Sequence, residues 1–344
     1  MTTITSAHSG PSVSQASPVS PHQHGAPCPP DRAAGLRLEC TACCLCRTGL
    51  AEPWAVGEDF EYRSSPDTFL AVRCSGCGLI YLNPRPAVGD LGRIYPSEYH
   101  AYDFSESRYG FVYRVRRRLE ARRALSWCKG LPVDARVLDV GCGDGFHLRI
   151  LRDFGAATWS LEGIEPEGKA VAAARAAGLT VHQGTIQEVA LPEDGYDLIL
   201  LIATIEHVDD PVSVLRAARR LLKPGGRVVV VTDNTDTYDF ALFGRRHWGG
   251  YHFPRHWHLF STRTLARLAE RSGLDVVGIV TVLSPVNWVY SFHNALTDWA
   301  APRWLCRRFG LHAAGALAFF TVVDALMTIA GRGALLRATF ARPE

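Results

Sequence analysis

The sequence predicts an α/β fold: a parallel sheet covered by helices on both faces, with a small cysteine-bearing module ahead of it. Three observations carry that prediction. Strand-length apolar runs alternate with helix-length stretches from Ala135 to Leu274. A glycine-rich turn, "GCGDG" at Gly141 to Gly145, joins the first of those runs to the helix after it. Upstream stand two C-x-x-C pairs, Cys43/Cys46 and Cys74/Cys77, with 27 residues between them.

The chain's 344 residues suffice for one large core and a small accessory module. A content of 47% hydrophobic and 21% charged residues argues against wholesale disorder and against a bundle of membrane spans. The net charge of +3 selects no partner. Basic residues are dense only in "YRVRRRLEARRA", Tyr113 to Ala124, where apolar residues recur as on a half-exposed helix. A solvated helix face explains that run better than nucleic-acid contact, since no aromatic platform is interleaved with it. Residues 1–35 are rich in Ser, Pro, His and Thr without an apolar h-region, so we expect a disordered tail, no signal peptide and a cytoplasmic protein. Cysteines in that compartment stay reduced, and paired spacings then point to metal.

The two pairs have the spacing of a four-thiolate zinc site over residues 36–90, in which each short turn presents two sulfurs and the intervening hairpin closes the tetrahedron. Gly78 after Cys77 allows backbone N–H groups to turn toward the thiolates, whereas Arg47 occupies the matching place after Cys46. Cys40 and Cys44 compete as ligands. A ribbon this small has little apolar core, so the metal is expected to be structural, with no open coordination position. Residues 91–130 then read as a linker and N-terminal helices; "GLIYLNPRP" and "IYPSEYHAYDF" punctuate it with prolines. Tyr95, Tyr99, His100 and Tyr102 are candidates for a substrate entrance or for aromatic packing between modules.

Residues 131–344 hold the sheet. Val137, Leu138 and Val140 make its first strand, and a helix begins at Phe146. The turn spells G-x-G-x-G; Phe146 stands where a dinucleotide fingerprint needs its third glycine. Asp139 and Asp144 repel a diphosphate and suit a ligand carrying ammonium and sulfonium charge. The second strand, "WSLEGIEP", ends on Glu165, where a carboxylate accepts hydrogen bonds from the two hydroxyls of a ribose. Pro166 opens the next helix, which stops at Gly178. A third strand follows in "LTVHQGT", a fourth in "YDLILLIATIEHV", a helix over Pro211 to Leu222 and a fifth strand in "RVVVVTDN". Continuous apolar strands of this kind belong to a parallel sheet buried on both faces.

The stretches "VLDVGCGDG", "IEP", "EHVDDP" and "LLKPGGRVVV" together resemble the class I S-adenosylmethionine-dependent methyltransferases. Paired C-x-x-C with "NPRP" is similar to the subgroup of those enzymes with an N-terminal zinc-binding module, so the resemblance spans residues 40 to about 275. It implies a Rossmann-like, seven-stranded sheet whose last strand is antiparallel. It also implies S-adenosyl-L-methionine as cofactor, with Asp139, Gly141, Cys142 and Gly143 at its methionine part and Glu165 at its ribose. In place of the acidic residue that many members carry after the third strand, this chain has "GTIQ", so Thr185, Ile186 or Gln187 must serve the adenine.

After the fifth strand, residues 235–260 make a long excursion before the helix "STRTLARLAERSG", N-capped by Ser261, and the strand "LDVVGIVTV". Within it, "HWGGYHFPRHWHLF" packs four histidines, two tryptophans and an arginine into residues 247–260. Ligands in open α/β sheets bind at the carboxyl ends of the strands, so the excursion reads as an active-site loop. A "G-Y-H-x-x-R-H" string recurs in the zinc-module subgroup, which agrees. His252 and His256 are the expected bases, Arg255 the expected clamp for an anionic acceptor, Trp248 and Tyr251 the expected walls, and His207 a further catalytic candidate. A metal within the loop is disfavoured, because the loop's histidine stretch offers no carboxylate or thiolate.

Residues 313–330, "AAGALAFFTVVDALMTIA", are about 18 in number and long enough to span a bilayer. A spanning helix is nonetheless disfavoured, because it leaves "ALLRATFARP" on the wrong side of the membrane to pair with residues 274–282. Residues 285–330 are therefore expected as a helical insertion packed on the domain, with peripheral contact at the inner membrane face through 311–330 as the other option. Function follows: methyl transfer by in-line displacement to a small-molecule, glycan or lipid-linked acceptor, without nucleic acid. The rival readings are a non-catalytic module that senses cofactor or recruits a partner through the ribbon, and a dehydrogenase, against which Phe146 speaks.

Overall fold

The computed structural model describes residues 35–96 and 106–343. The expected disordered tail, apart from residue 35, and Tyr99, His100 and Tyr102 lie outside them. The N-terminal strands are β1 (Leu38–Glu39), β2 (Ala51–Gly57), β3 (Phe69–Cys74), β4 (Ile80–Leu82) and β5 (Arg85–Pro86). Antiparallel pairing of β2 with β3 and of β3 with β4 makes a small ribbon; the turn from Cys74 to Leu79 contains Gly78 at φ +80°. Helices α1 (Leu91–Ile94) and α2 (Glu106–Trp127) lead to the sheet; α2 is kinked at Gly110 and carries the basic run on a largely exposed surface.

The large sheet contains β6 (Arg136–Val140), β7 (Ser160–Glu165), β8 (Thr180–Gln183), β9 (Tyr196–Ile202), β10 (Leu222–Asp233), β12 (Asp275–Val282) and β13 (Leu335–Ala341). Its order is β12-β13-β10-β9-β6-β7-β8, with β13 antiparallel to both of its neighbours and the remaining pairs parallel. This is the seven-stranded, Rossmann-like sheet expected from the sequence. Side chains alternate across it. Leu138, Val140, Ile199, Leu201, Val228 and Val230 face α5 (Pro211–Leu221) and α7 (Thr262–Ser272), while Val137, Leu198, Leu200 and Val229 face α2 and α3 (Phe146–Phe154). Each such aliphatic side chain contributes roughly 1.5–3 kcal/mol on burial. Helix α4 (Gly168–Ala176) covers β8 and β7. Asp210 caps α5 through Val212 N and Ser213 N ahead of Pro211, and Ser261 shares a capping box with Thr264 on α7.

One joint was not legible beforehand. Strand β11 (His258–Leu259), inside the histidine-rich excursion, pairs with β4, so the ribbon sheet runs β11-β4-β3-β2. The next residue, Phe260, bridges to Asn234 at the end of β10. Three consecutive residues thus tie the ribbon to the large sheet.

The fourth strand is shorter than expected: β9 stops at Ile202, Ala203 takes φ +51°, and His207 lies in the loop beyond. Between β12 and β13 the chain forms α8 (Val286–Asp298), α9 (Arg303–Cys306) and α10 (Ala314–Ile329), after α6 (Tyr238–Phe243) in the excursion. Among the described residues no helix is long and apolar enough to cross a membrane. Asp324 explains why α10 lies on the domain: it is buried and its Oδ2 accepts from Ser284 N (2.8 Å) and Ala334 N (3.3 Å), while Phe320 stacks on Trp288.

Candidate active site

The turn after β6 has to bend sharply, and its glycines take positive φ: +73° at Gly141, +53° at Gly143 and +82° at Gly145. A Cβ at Gly141 would come within 2.7 Å of the Thr204 side chain, so only glycine lets the turn lie against the loop after β9. Gly141 N and Cys142 N donate to Ile164 O, and Gly143 N donates to Glu165 Oε2 at 2.9 Å. Glu167 N donates to Glu165 Oε1, also at 2.9 Å. Two backbone amides therefore hold the carboxylate at the tip of β7. Cys142 turns its side chain into the core beside Leu148 and Val171, leaving its backbone to the turn.

Gly141, Gly143 and Glu165, but not Cys142, line a cavity of about 550 Å³ at the carboxyl ends of the strands, the size of a nucleoside-derivative site. Gly141, Gly143, Glu165, Thr185, Ile186 and Gln187 all face it. Asp139 is buried, and its Oδ2 has no hydrogen-bond partner. Burial, and then the neighbouring Glu165, push its carboxyl up to about 8. An orphaned buried carboxylate oxygen beside an amide-lined turn is what an ammonium group satisfies, and Glu165 retains acceptor capacity for a ribose diol. The residues fit S-adenosylmethionine: Asp139 and the turn would hold its amino-acid end and Glu165 its ribose. Thr185 donates its hydroxyl and its N–H to Glu188 Oε2, which fixes this part of the cavity wall.

At the other end of the cavity stand Leu91, Tyr95, His207 and Trp257. His207 Nδ1 lies 3.0 Å from Tyr95 Oη and 3.1 Å from Arg255 O. His256 packs edge-on against the His207 ring, with centroids 4.5 Å apart, and donates from Nδ1 to Gly250 O at 2.8 Å. Burial holds its imidazole well below the usual range, so His256 is neutral and available as a lone-pair donor. Glu206 is buried beside them, accepting from Thr232 Oγ1 at 2.9 Å. Its backbone carbonyl accepts from Trp257 N and His258 N, which fixes the loop after β9 to the histidine-rich stretch. Glu206 and Asp233 are further polar residues of this end that the sequence reading left out. Glu206 directly precedes His207 in "EHVDDP", and no local pattern distinguishes it from a surface carboxylate.

The structure separates the remaining loop residues from the cavity. Arg255, expected as an acceptor clamp, is 1% exposed and gives two hydrogen bonds to Asp59 (3.0 and 2.6 Å), with others to Ile94 O and Phe253 O. His252, expected as a base, lies 2.8 Å from Glu61. Burial opposes its charge, but Glu61 overrides it and raises the imidazole above its ordinary value. Trp248 and Tyr251 are core residues: Trp248 donates to Asp239 and Tyr251 donates to Gly244 O. The partners of Arg255 and His252 come from the chain after β2, which local sequence could not reveal. The loop is therefore packed between the ribbon and α8 along most of its length, and it reaches the cavity through Trp257 and, behind His207, through His256.

In the ribbon, Cys43, Cys46, Cys74 and Cys77 bring their sulfurs within 4.8 Å of one another, with Cys43–Cys77 and Cys46–Cys74 each at 3.4 Å. Burial pushes the Cys43 thiol far up and Cys77 up to about 11, so clustered thiolates need a dication to be charged together. Four sulfurs in this arrangement fit zinc with a closed shell. Cys44 points instead to His258 Nδ1 at 3.7 Å, and Cys40 stands outside the group.

Comparison with known proteins gives the family. A family described as a methyltransferase domain matches residues 111–279. The chain is 33% identical over 171 residues to a ubiquinone biosynthesis O-methyltransferase of Cereibacter sphaeroides, covering 46% of this chain and 68% of that protein. It is 32% identical over 169 residues to the protein of the same name from Nitrosospira multiformis, covering 45% and 69%. Among solved structures, a SAM-dependent methyltransferase from Thermotoga maritima aligns with a TM-score of 0.45 and 19% identity, over 73% of this chain and all of that one. The chain belongs to the S-adenosylmethionine-dependent methyltransferases. It is an enzyme of that class carrying a four-cysteine site that fits structural zinc.

Proposed function

We propose that the protein methylates a hydroxyl oxygen on a small-molecule, glycan or lipid-linked acceptor. The observation that carries this reading is the single cavity running from Gly141, Gly143 and Glu165 to Tyr95, His207 and Trp257. S-adenosylmethionine, when bound, supplies a methyl group made electrophilic by its sulfonium. The chain's own residues do the rest. Asp139 and Glu165 anchor the donor, and the apolar walls at Leu91 and Trp257 hold the acceptor in line and limit water. His207 lines the cavity beside the attacking atom, with Glu206 and His256 buried behind it, and the cluster eases the loss of that atom's proton, an effect worth about 10² to 10⁴ in rate for a hydroxyl. The relatives named as O-methyltransferases support oxygen as the attacking atom.

The test is methyl transfer from labelled S-adenosylmethionine to a panel of hydroxylated acceptors, run beside His256→Ala. Turnover should fall by about 10² or more while S-adenosylhomocysteine binds as before. An unchanged rate removes the cluster from the reaction.

A second observation favours work at an anionic membrane surface. The outward face of α10 shows Phe319, Val322, Leu326 and Ile329, each about 60% exposed or more, and Trp299 and Trp304 stand exposed beside it in sequence. From Trp299 to Pro343 the chain has six arginines and one acidic residue, the buried Asp324. An apolar stripe flanked by tryptophan and arginine suits the headgroup boundary of an anionic bilayer, and such a site brings a lipid-linked acceptor within reach.

A further inference from the structure

The acceptor end of the cavity is walled in part by the stretch that follows the ribbon. Val88, Leu91, Gly92 and Tyr95 line it from the 3₁₀ turn Val88–Asp90, α1 and the residue after α1, and Trp257 lines it from the histidine-rich stretch. Both parts are fastened to the N-terminal strands. Asp90 Oδ2 accepts from Arg37 N at 2.7 Å and Ala87 N donates to Arg37 O, which pins the turn. Arg85, on β5, lies over the Trp257 ring at 4.4 Å from its centroid and donates to Glu39 and Asp209. The charge around this wall is one-sided. Asp209 and Asp210 line the cavity, whereas no lysine or arginine among the described residues does. Arg85 and Arg47 are paired with those two carboxylates, and Asp59 encloses Arg255, so no guanidinium here is left for a ligand. An anionic group brought to this end gives up its water and gains no cation in return. Gly92 adds a second observation. Its φ lies outside the left-handed region and a Cβ built on it would meet nothing within 4 Å, so the fold does not require glycine there. Gly141 at the donor end is the contrast, since both its φ and the Thr204 side chain demand glycine. A glycine that the backbone does not need, on the wall of a ligand cavity, leaves room for the ligand.

We infer that the acceptor presents an uncharged, apolar group to this end of the cavity, and that Gly92 sets how large that group can be. The inference rests on the reading of the cavity as the methyl-transfer site. It narrows the acceptor by charge: a phosphate or carboxylate, where the molecule carries one, stays outside while the uncharged part that bears the hydroxyl enters between Leu91, Gly92 and Trp257. Arg85 acts behind that wall as a positioning residue, holding the Trp257 ring and Asp209 without lining the cavity itself.

The experiment is calorimetric titration of two probes of the same shape, a naphthamide and its matching naphthoate, into the full, zinc-loaded protein saturated with S-adenosylhomocysteine, which fills the donor end. The amide should bind about tenfold more tightly than the carboxylate, or better. Gly92→Leu should weaken the amide by about tenfold or more, with Gly92→Ala in between. Unchanged S-adenosylhomocysteine binding reports that each variant is folded, and Gly92→Ala serves alone if the leucine variant is not. Equal or tighter binding of the carboxylate, or no binding of the amide, overturns the uncharged acceptor. Wild-type affinity for the amide in the folded variants overturns the role of Gly92. Methyl transfer by a protein that prefers the carboxylate would leave the reaction standing without this inference, and amide binding with no transfer to any hydroxylated acceptor would do the reverse, so the two readings fail separately.

Discussion

Arg255 and Asp59 form a two-pronged ion pair, at 3.0 and 2.6 Å, in which both side chains are essentially buried. The residues lie 196 positions apart, one in the histidine-rich stretch and the other beside the ribbon. Burial works against the charge on Asp59, but the guanidinium overrides it and holds the carboxyl below its ordinary value. Removing one partner strands the other. Arg255→Met should therefore cost about 3–5 kcal/mol in urea unfolding, and the double variant Arg255→Met/Asp59→Asn should recover part of that loss. A single variant that unfolds at the wild-type midpoint would show that the pair does not fasten the loop.

Removing the cysteine site should be felt beyond the ribbon. Because β11 extends the ribbon sheet and Phe260 bridges to the end of β10, loss of the metal should loosen the acceptor end of the cavity too. For Cys74→Ser we expect loss of bound zinc and faster amide exchange at residues 255–260, alongside a lower melting temperature. Exchange confined to residues 36–90 would mean that the two sheets are coupled only weakly.

The donor end should respond to pH through Asp139. Its carboxyl is raised from 3.8 to about 8, and burial raises Glu165 as well. A raised acid binds its proton more tightly in the folded chain than in the unfolded one, so the stability of the ligand-free protein falls as pH climbs from about 4 to about 8. A cationic amino group favours the charged carboxylate, so S-adenosylhomocysteine affinity should rise over pH 6 to 8 and then level. Asp139→Asn should bind about 10- to 100-fold more weakly, with a flatter profile. Calorimetry across that range decides it; a flat wild-type profile would take Asp139 out of the ammonium site.

The outward face of α10 makes a separate prediction. The protein should float with vesicles containing anionic phosphatidylglycerol and not with vesicles of phosphatidylcholine alone. Leu326→Ser/Ile329→Ser should abolish flotation without changing the melting temperature by more than a few degrees, since both side chains are already exposed. Self-association of the wild type in solution, lost in the same variant, would instead assign the face to a second copy of the chain.

Much of this architecture could be read directly from the chain. Period and punctuation locate β6, β7, β8, β10, β12 and β13, because a buried parallel sheet requires continuous apolar strands and the turn after β6 tolerates only glycine at Gly141. The positions of Asp139, Gly141, Gly143 and Glu165 were legible for the same reason: they lie at strand tips that the local pattern dictates. The four cysteines were legible because metal-ligand spacing is a local property of two short turns.

The acceptor end was not. His252 and Arg255 read as catalytic until Glu61 and Asp59, nearly 200 residues away in sequence, fill their hydrogen bonds. Glu206 gains its meaning only when β11 brings His256 beside it. By itself the sequence determined the sheet, the glycine turn and the cysteine centre, since each depends on conformational preference and spacing among near neighbours. Only the tertiary structure decided which histidines face the cavity, because a polar side chain's role is set by the partners that long-range packing puts within hydrogen-bond reach.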